Sequence, residues 1–211
     1  MELHIFGPDF STLARSVRLY CEEKGLSYTY GMNLKGQAID WRSEAHRNYH
    51  PFGKVPVLFH ADAHVFETNA ICRYLDTAFP ENSLQPFEMS TRILVDQWSS
   101  ALVTSVDKDL VRDYLLLVAG PNRPTVIDPA TLASAELQVE ATLAILDVQL
   151  DEHPYLCGKH YSLADALLTP MLDYLAMTPA TDWLGHWPRL GAYLSRMRAR
   201  PSGCSVLGLP G

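Results

Sequence analysis

A chain of 211 residues, 47% hydrophobic and 19% charged, can bury a substantial core as one large or two small domains. Its 17 Lys and Arg against 24 Asp and Glu are scattered and leave a net charge of −7, which argues against nucleic acid or an anionic membrane and for a small-molecule partner. The opening MELHIFGPDF lacks a secretory signal pattern, no run reaches the roughly 20 apolar residues of a membrane span, and Cys21, Cys72, Cys157 and Cys204 form no CxxC pair, so a cytoplasmic protein with reduced cysteines is expected.

Leu3 to Phe6 reads as a short strand, and Gly7-Pro8-Asp9 as a loop delivering the chain to Ser11. Leu13, Ala14, Val17, Tyr20 and Cys21 then recur at helical spacing, and Lys24-Gly25 ends that helix with a cation and a residue suited to left-handed backbone. Ser27 to Met32 forms a second strand, completing a βαβ unit. Residues 33 to 50 are polar and irregular, with room for a short helix. Val55 to Phe59 reads as a strand buried on both faces, Ala61-Asp62-Ala63 as a turn, His64 to Phe66 as the next strand, and Ala70, Ile71, Tyr74 and Leu75 as a helix. Residues 1–78 thus make a βαβ–ββα α/β domain.

Residues 79–87 make a linker rich in Pro and polar residues, and strand signals disappear beyond it. Over 88–211 an all-helical domain is predicted. Leu94, Trp98, Leu102, Val106, Leu110 and Tyr114 step by four along one long helix, which ends at a Pro/Gly break over 119–124. A second long helix carries Leu137, Ala141, Ala144, Leu146 and Leu150. Ser162 and Asp165 form an acidic capping box for a third, and a last helix from Trp187-Pro188 stops at Arg200-Pro201.

Two features between His50 and Asp76 carry chemistry. Pro56 at the mouth of a strand cannot donate to the ladder, and a cis Val55–Pro56 bond would turn the N–H and C=O of Val55 outward as a docking edge for a peptide. Glu67-Thr68 stands where a helix begins: the hydroxyl is an N-cap candidate, the helix end attracts a carboxylate, and the acid attracts an ammonium. An α-amino-acid headgroup bears both charges. Each feature alone also has a plain structural reading, as an edge-strand proline, a first-turn acid and a cap. His60 and His64 lie four apart across a hairpin without Cys or acidic partners, so no metal site is expected.

With these residues in view, the whole chain resembles the cytosolic glutathione S-transferases, nearest in pattern to the bacterial phi and theta-like, serine-type group. Four segments carry the resemblance in the family's order: GPDFSTLARSVRLYCEEKGLSY, HPFGKVPVLF, FETNAICRYL and YLCGKHYSLADALLTPML. It implies a thioredoxin-like domain followed by an all-α domain, usually in a homodimer, with glutathione as co-substrate and no further cofactor. Carried over by position, Ser11 is the catalytic serine and Glu67 and Thr68 hold the γ-glutamyl headgroup. Val55, before Pro56, pairs with the cysteinyl backbone, Arg42 matches a basic residue that holds the glycyl carboxylate when the alignment has no gap, and Lys54, at a position often Gln, is a second donor to an anion. Phe10, Leu110, Val111 and Tyr114 are candidates to line an apolar electrophile pocket, although a stripe at helical spacing also describes core. Phe52 either inserts into a partner subunit or packs locally. His50, Thr68 and Thr12 replace the group's usual Asn, Ser and small residue or Pro.

The implied activity is stabilisation of the glutathione thiolate by a serine hydroxyl and its conjugation to apolar electrophiles, with reduction of organic hydroperoxides also open to it. Thr12 is a spare hydroxyl if the loop shifts by one residue. A thiol with pKa about 8.5 is mostly protonated at neutral pH, and lowering it by about two units takes about 2.7 kcal/mol of differential stabilisation. A disulfide-reductase chemistry would need Cys at the position of Ser11. A non-catalytic glutathione-transferase-like interaction module, of stress-protein or translation-factor type, is the alternative from a different functional class.

Overall fold

The computed structural model describes residues 2–34, 36–120, 122–178 and 181–207; Pro121, inside the predicted break, and the chain ends assigned to the two domains lie outside them. The chain divides into two compact units, one running to Gln85 and completed by the segment from Pro201, the other from Pro86 to Arg200.

In the first unit, β1 (Leu3–Phe6), α1 (Thr12–Lys24) and β2 (Tyr28–Gly31) form the predicted βαβ, with β1 and β2 parallel. β5 (Val57–His60) runs antiparallel to β1, and β6 (Ala63–Phe66) antiparallel to β5, giving the order β2-β1-β5-β6. α3 (Thr68–Ala78) follows β6 and packs against α1. Ala14, Val17, Tyr20 and Cys21 of α1, Ile71, Cys72 and Leu75 of α3, and Ile5, Val57 and Leu58 of the sheet are all buried. Ser11 caps α1, accepting from Ala14 N–H, and Gly25 closes it at φ 68°. Burial on both strand faces is confined to Val57 and Leu58; Phe59 and His60 are half-buried.

The polar stretch after β2 holds more order than its composition indicates. β3 (Asn33–Leu34) and β4 (Gln37–Ala38) form a two-residue antiparallel ribbon, and α2 (Glu44–Arg47) is a single turn capped by Ser43. Strands this short show no periodicity, so only a turn residue such as Gly36, at φ 81°, could have marked the ribbon.

A buried polar cluster ties α1 to the segment beyond α3. Lys24 Nζ bonds Asp76 Oδ1 at 2.8 Å and the carbonyls of Phe79 and Asn82 at 2.9 and 3.2 Å. Asp76 also accepts from Tyr20 O–H and from Leu84 N–H.

The second unit is helical. α4 (Met89–Ala101) continues into a π-helical stretch, Leu102–Leu115, and ends in α5 (Leu116–Val118). The four-residue step of Leu102, Val106, Leu110 and Tyr114, all buried, overshoots an α-turn of about 3.6 residues; wider i→i+5 winding brings such a stripe nearer to one line. α6 (Pro129–Leu150) packs against this stretch and α7 (Leu163–Ala176) against it and α4; α8 (Pro188–Ala199) packs on α6 and α7. On α6 the core stripe is Ala135, Val139, Leu143, Leu146 and Leu150, whereas Leu137 and Ala141 of the predicted stripe face outward. The capping box is formed: Asp165 accepts from Ser162 N–H and O–H, and also from Leu156 N–H and Tyr193 O–H.

The last helix was missed. α9 (Pro201–Val206) starts at the proline expected to stop the preceding helix, because proline suits the first turn of a helix as well as it ends one. The sequence places this segment with the helical domain; instead it packs on α1, with Ser202 and Ser205 hydroxyls donating to Glu23 and Glu22. Among the described residues no helix is long and apolar enough to cross a membrane.

Candidate active site

The sheet register gathers the predicted chemistry at one end. Phe6 pairs with Gly31 and Val57, and Val57 with Phe66. The loop leading to α1, the chain entering β5 and the junction into α3 therefore emerge side by side, with the N-termini of α1 and α3 at that end. Gly7 makes the close packing possible: a Cβ there would lie 3.0 Å from Ala14 Cβ and 3.6 Å from Val55 Cβ.

Ser11 is partly exposed at the N-cap of α1, its oxygen 3.2 Å from Ala14 N–H. Capping and donation are compatible, since the oxygen accepts from the helix while the hydroxyl proton is free to donate outward. Thr12 is the first helical residue and is buried, so Ser11 is the available hydroxyl. The loop before it is held from the helix: Arg15 Nε donates to Asp9 C=O at 2.7 Å, and Arg18 pairs with the Asp9 carboxylate at 2.6 Å while lying over the Tyr30 ring.

The Val55–Pro56 bond is cis, and among the described residues neither the N–H nor the C=O of Val55 has a hydrogen-bond partner. At the entrance to α3 the structure corrects one expectation. Glu67 is the N-cap, at φ 67°, and its carbonyl accepts the first helical bond from Ile71 N–H. A left-handed conformation at a non-glycine residue costs on the order of 1 kcal/mol or more, and here it accompanies the sharp turn out of β6. Thr68 is consequently the first helical residue. Its side chain does not cap; the residue is 3% exposed, and Oγ1 has no hydrogen-bond partner among the described residues. A buried hydroxyl without a partner is uncommon, because leaving one unsatisfied costs about 1–3 kcal/mol. Glu67 itself is exposed, and its side chain makes no capping bond.

Arg42 and Lys54 are exposed cations at the two ends of one loop, neither with an acidic partner among the described residues. Two residues that sequence reasoning passed over organise this loop. Trp41 donates from Nε1 to Gly53 C=O at 3.3 Å and lies 6.1 Å from the Phe10 ring, which joins it to the segment carrying Ser11. His46 bridges Arg42 N–H and Lys54 C=O. A tryptophan within a polar stretch was the one available signal for the first; nothing local marks the second. His50 is buried against Phe66; burial holds its imidazole below the ordinary range, with Glu67 pulling upward and His46 and Lys54 downward.

Phe10 is half-exposed beside Ser11. Leu110, Val111 and Tyr114 fall in the helical unit and are buried, with Trp183 Nε1 donating to Tyr114 O–H at 3.0 Å. They pack as core of that unit instead of standing open as pocket lining, the plain outcome for a stripe at helical spacing. Cys21 and Cys157 have thiols pushed up to about 12 by burial, and Cys72 is raised for the same reason, so none of the three is a nucleophile at neutral pH.

Family models described as the glutathione S-transferase N-terminal domain and C-terminal domain match residues 10–78 and 129–196. Glutathione S-transferase F10 of Arabidopsis thaliana is 31% identical over 83% of this chain and 81% of its own length. The probable glutathione S-transferase GSTF1 of Oryza sativa subsp. japonica is 28% identical over 94% and 92%. The glutathione-bound structure of the theta class glutathione S-transferase from Xanthomonas axonopodis pv. citri superposes with a TM-score of 0.82 at 26% identity, covering 97% of this chain and 96% of that one. With a thioredoxin-like α/β unit, a helical unit and both family domains matched, this chain belongs to the glutathione S-transferase family.

Proposed function

We propose that the first unit binds glutathione and activates its thiol for transfer to apolar electrophiles. The observation that carries this is the set of polar groups left unpaired at one end of the sheet: the Val55 backbone, and Thr68 Oγ1 at the start of α3. Val55 N–H and C=O pair with the cysteinyl backbone. Thr68 and the α3 N-terminus receive the γ-glutamyl carboxylate, Glu67 takes the ammonium, and Arg42 with Lys54 take the glycyl carboxylate. The thiol proton leaves to solvent and Ser11 O–H donates to the resulting thiolate. Sulfur then forms a bond to the electrophilic carbon as the bond to the leaving group breaks, and the leaving group departs with the electron pair. Phe10 and Trp41, both partly exposed, supply apolar surface beside that sulfur.

With a hydroperoxide, the thiolate instead takes the terminal oxygen as the O–O bond breaks and the alkoxide leaves to be protonated. A second glutathione condenses with the sulfenic acid to give the disulfide and water. Retention of Ser11 together with Glu67 and Thr68 favours this enzyme over the non-catalytic module, and turnover of a chromogenic electrophile separates the two.

Calorimetry tests the binding assignment. Glu67→Gln is expected to weaken glutathione binding about tenfold by exchanging a charged partner for a neutral one; unchanged affinity would count against the headgroup assignment. Thr68→Val, which swaps a hydroxyl for a methyl, is expected to weaken binding while leaving thermal stability equal or higher, since an unsatisfied buried hydroxyl is removed.

The homodimer is supported by apolar side chains left uncovered. Leu137, Ile145 and Val148 line the outward face of α6, Phe87, Met89 and Ile93 stand exposed at the start of the helical unit, and Phe52 is 72% exposed in the first. Light scattering is expected to give a dimer for the native chain and a monomer for Leu137→Glu/Val148→Glu; a monomeric native chain would remove the assignment.

A further inference from the structure

We infer that His46 is a positioning residue for glutathione affinity: one neutral imidazole sets the spacing of Arg42 and Lys54, and its protonation releases them. This rests on the proposed glutathione site and concerns a buried residue whose two ring nitrogens are both bonded to backbone. The imidazole is fully buried, with its ring 5.1 Å from Phe6. Nδ1 accepts from Arg42 N–H at 3.0 Å, which requires a lone pair there, so the proton lies on Nε2, donated to Lys54 C=O at 2.9 Å. Both ring nitrogens are thus committed to the backbones of the two cations. His46 N–H is itself anchored on Ser43 Oγ.

The rest of the loop shows why a bridge is needed. Arg42 sits at φ 64°, a conformation with no local residue preference behind it, and its side chain packs within 3.5 Å of where a Gly53 Cβ would be. No strand pairing joins the segment around Arg42 to that around Lys54. Among the described residues the hydrogen bonds that join them are Trp41 Nε1–H to Gly53 C=O and the two made by the imidazole. A bidentate grip on one carboxylate depends on the separation of its donors, so the bridge acts on affinity and not on the sulfur chemistry.

Protonation changes the bridge because an imidazolium cannot accept from Arg42 N–H. Burial lowers the His46 pKa, the Lys54 carbonyl opposes this, and Arg47 adds to the lowering. Of the two rings packed on it among the described residues, His50, 6.5 Å away, also titrates, and Phe6 from β1 carries no charge. The ring is therefore neutral and bridging at neutral pH, and the bridge opens on acidification.

The test is calorimetry with S-methylglutathione, whose sulfur does not titrate, between pH 5 and 8. The native chain is expected to lose about tenfold in affinity towards the acid end as one accepted hydrogen bond is exchanged for repulsion between two donors. His46→Gln is expected to bind about tenfold more weakly at pH 8, with little dependence on pH. In kinetics its KM for glutathione rises while kcat stays within about twofold, a split that general loss of fold would not give. If His46→Gln does not fold, His46→Asn and the pH series of the native chain carry the test. Native-like affinity with the same pH slope in the variant, or a slope abolished by His50→Gln and kept in His46→Gln, would overturn the inference. Failure of the native chain to bind S-methylglutathione at any pH would instead remove the glutathione site itself.

Discussion

Ser11→Ala is expected to lower conjugation kcat about a hundredfold near neutral pH, the usual cost of deleting one donor to a developing or stabilised anion. Glutathione affinity should stay within about threefold of native, because the tripeptide is held by Val55, Glu67, Thr68 and the Arg42–Lys54 loop. The pH profile separates this from generic damage. A donor to the thiolate lowers the bound thiol pKa, so removing it raises that pKa towards the solution value. The acid limb of kcat, where rate rises as the thiol deprotonates, should therefore shift to higher pH, with part of the lost rate recovered at high pH. The substitution also deletes the cap of α1, at a cost of about 1 kcal/mol in stability, so a melting curve accompanies the kinetics. A rate loss independent of pH would point to damage of the α1 terminus and not to the thiolate.

Lys24→Met is expected to destabilise the first unit by about 3–5 kcal/mol, the range for removing one partner of a buried ion pair. The ammonium is fully buried and bonds Asp76 together with the carbonyls of Phe79 and Asn82. Without it the Asp76 carboxylate keeps, among the described residues, Tyr20 O–H and Leu84 N–H. The double variant Lys24→Met/Asp76→Leu should lose clearly less than the sum of the two single changes, since it leaves no orphaned charge. Urea unfolding of the three variants measures this; additive losses would mean that the two side chains act independently.

What could be read from the sequence was chemistry that local covalent structure enforces. Pro56 cannot pair in a ladder, Ser11 precedes a helical repeat, and an acid-hydroxyl pair begins α3; each marks its position whatever surrounds it. The details that failed depend on tertiary closure. Thr68 looked like a cap, but the turn out of β6 needs positive φ at Glu67, which moves the cap by one residue and frees the hydroxyl. Leu110 and Tyr114 had the spacing of a buried stripe, and spacing alone does not separate a core from a ligand wall; burial assigns them to the core. The roles of Trp41 and His46 depend on partners, Gly53 and Lys54, that lie beyond the α2 turn; a tryptophan in a polar stretch was the one local mark of the first, and nothing local marked the second. The π-helical winding over Leu102–Leu115 was foreshadowed only by a step of four that fits an ordinary helix poorly.

The most direct test of thiolate stabilisation by Ser11 is ultraviolet titration of the thiolate absorbance of bound glutathione, in the native chain and in Ser11→Ala. The expected result is a bound thiol pKa about two units below the solution value of about 8.5 in the native complex, rising back towards that value in the variant. An identical bound pKa in the two proteins would contradict the role assigned to the Ser11 hydroxyl.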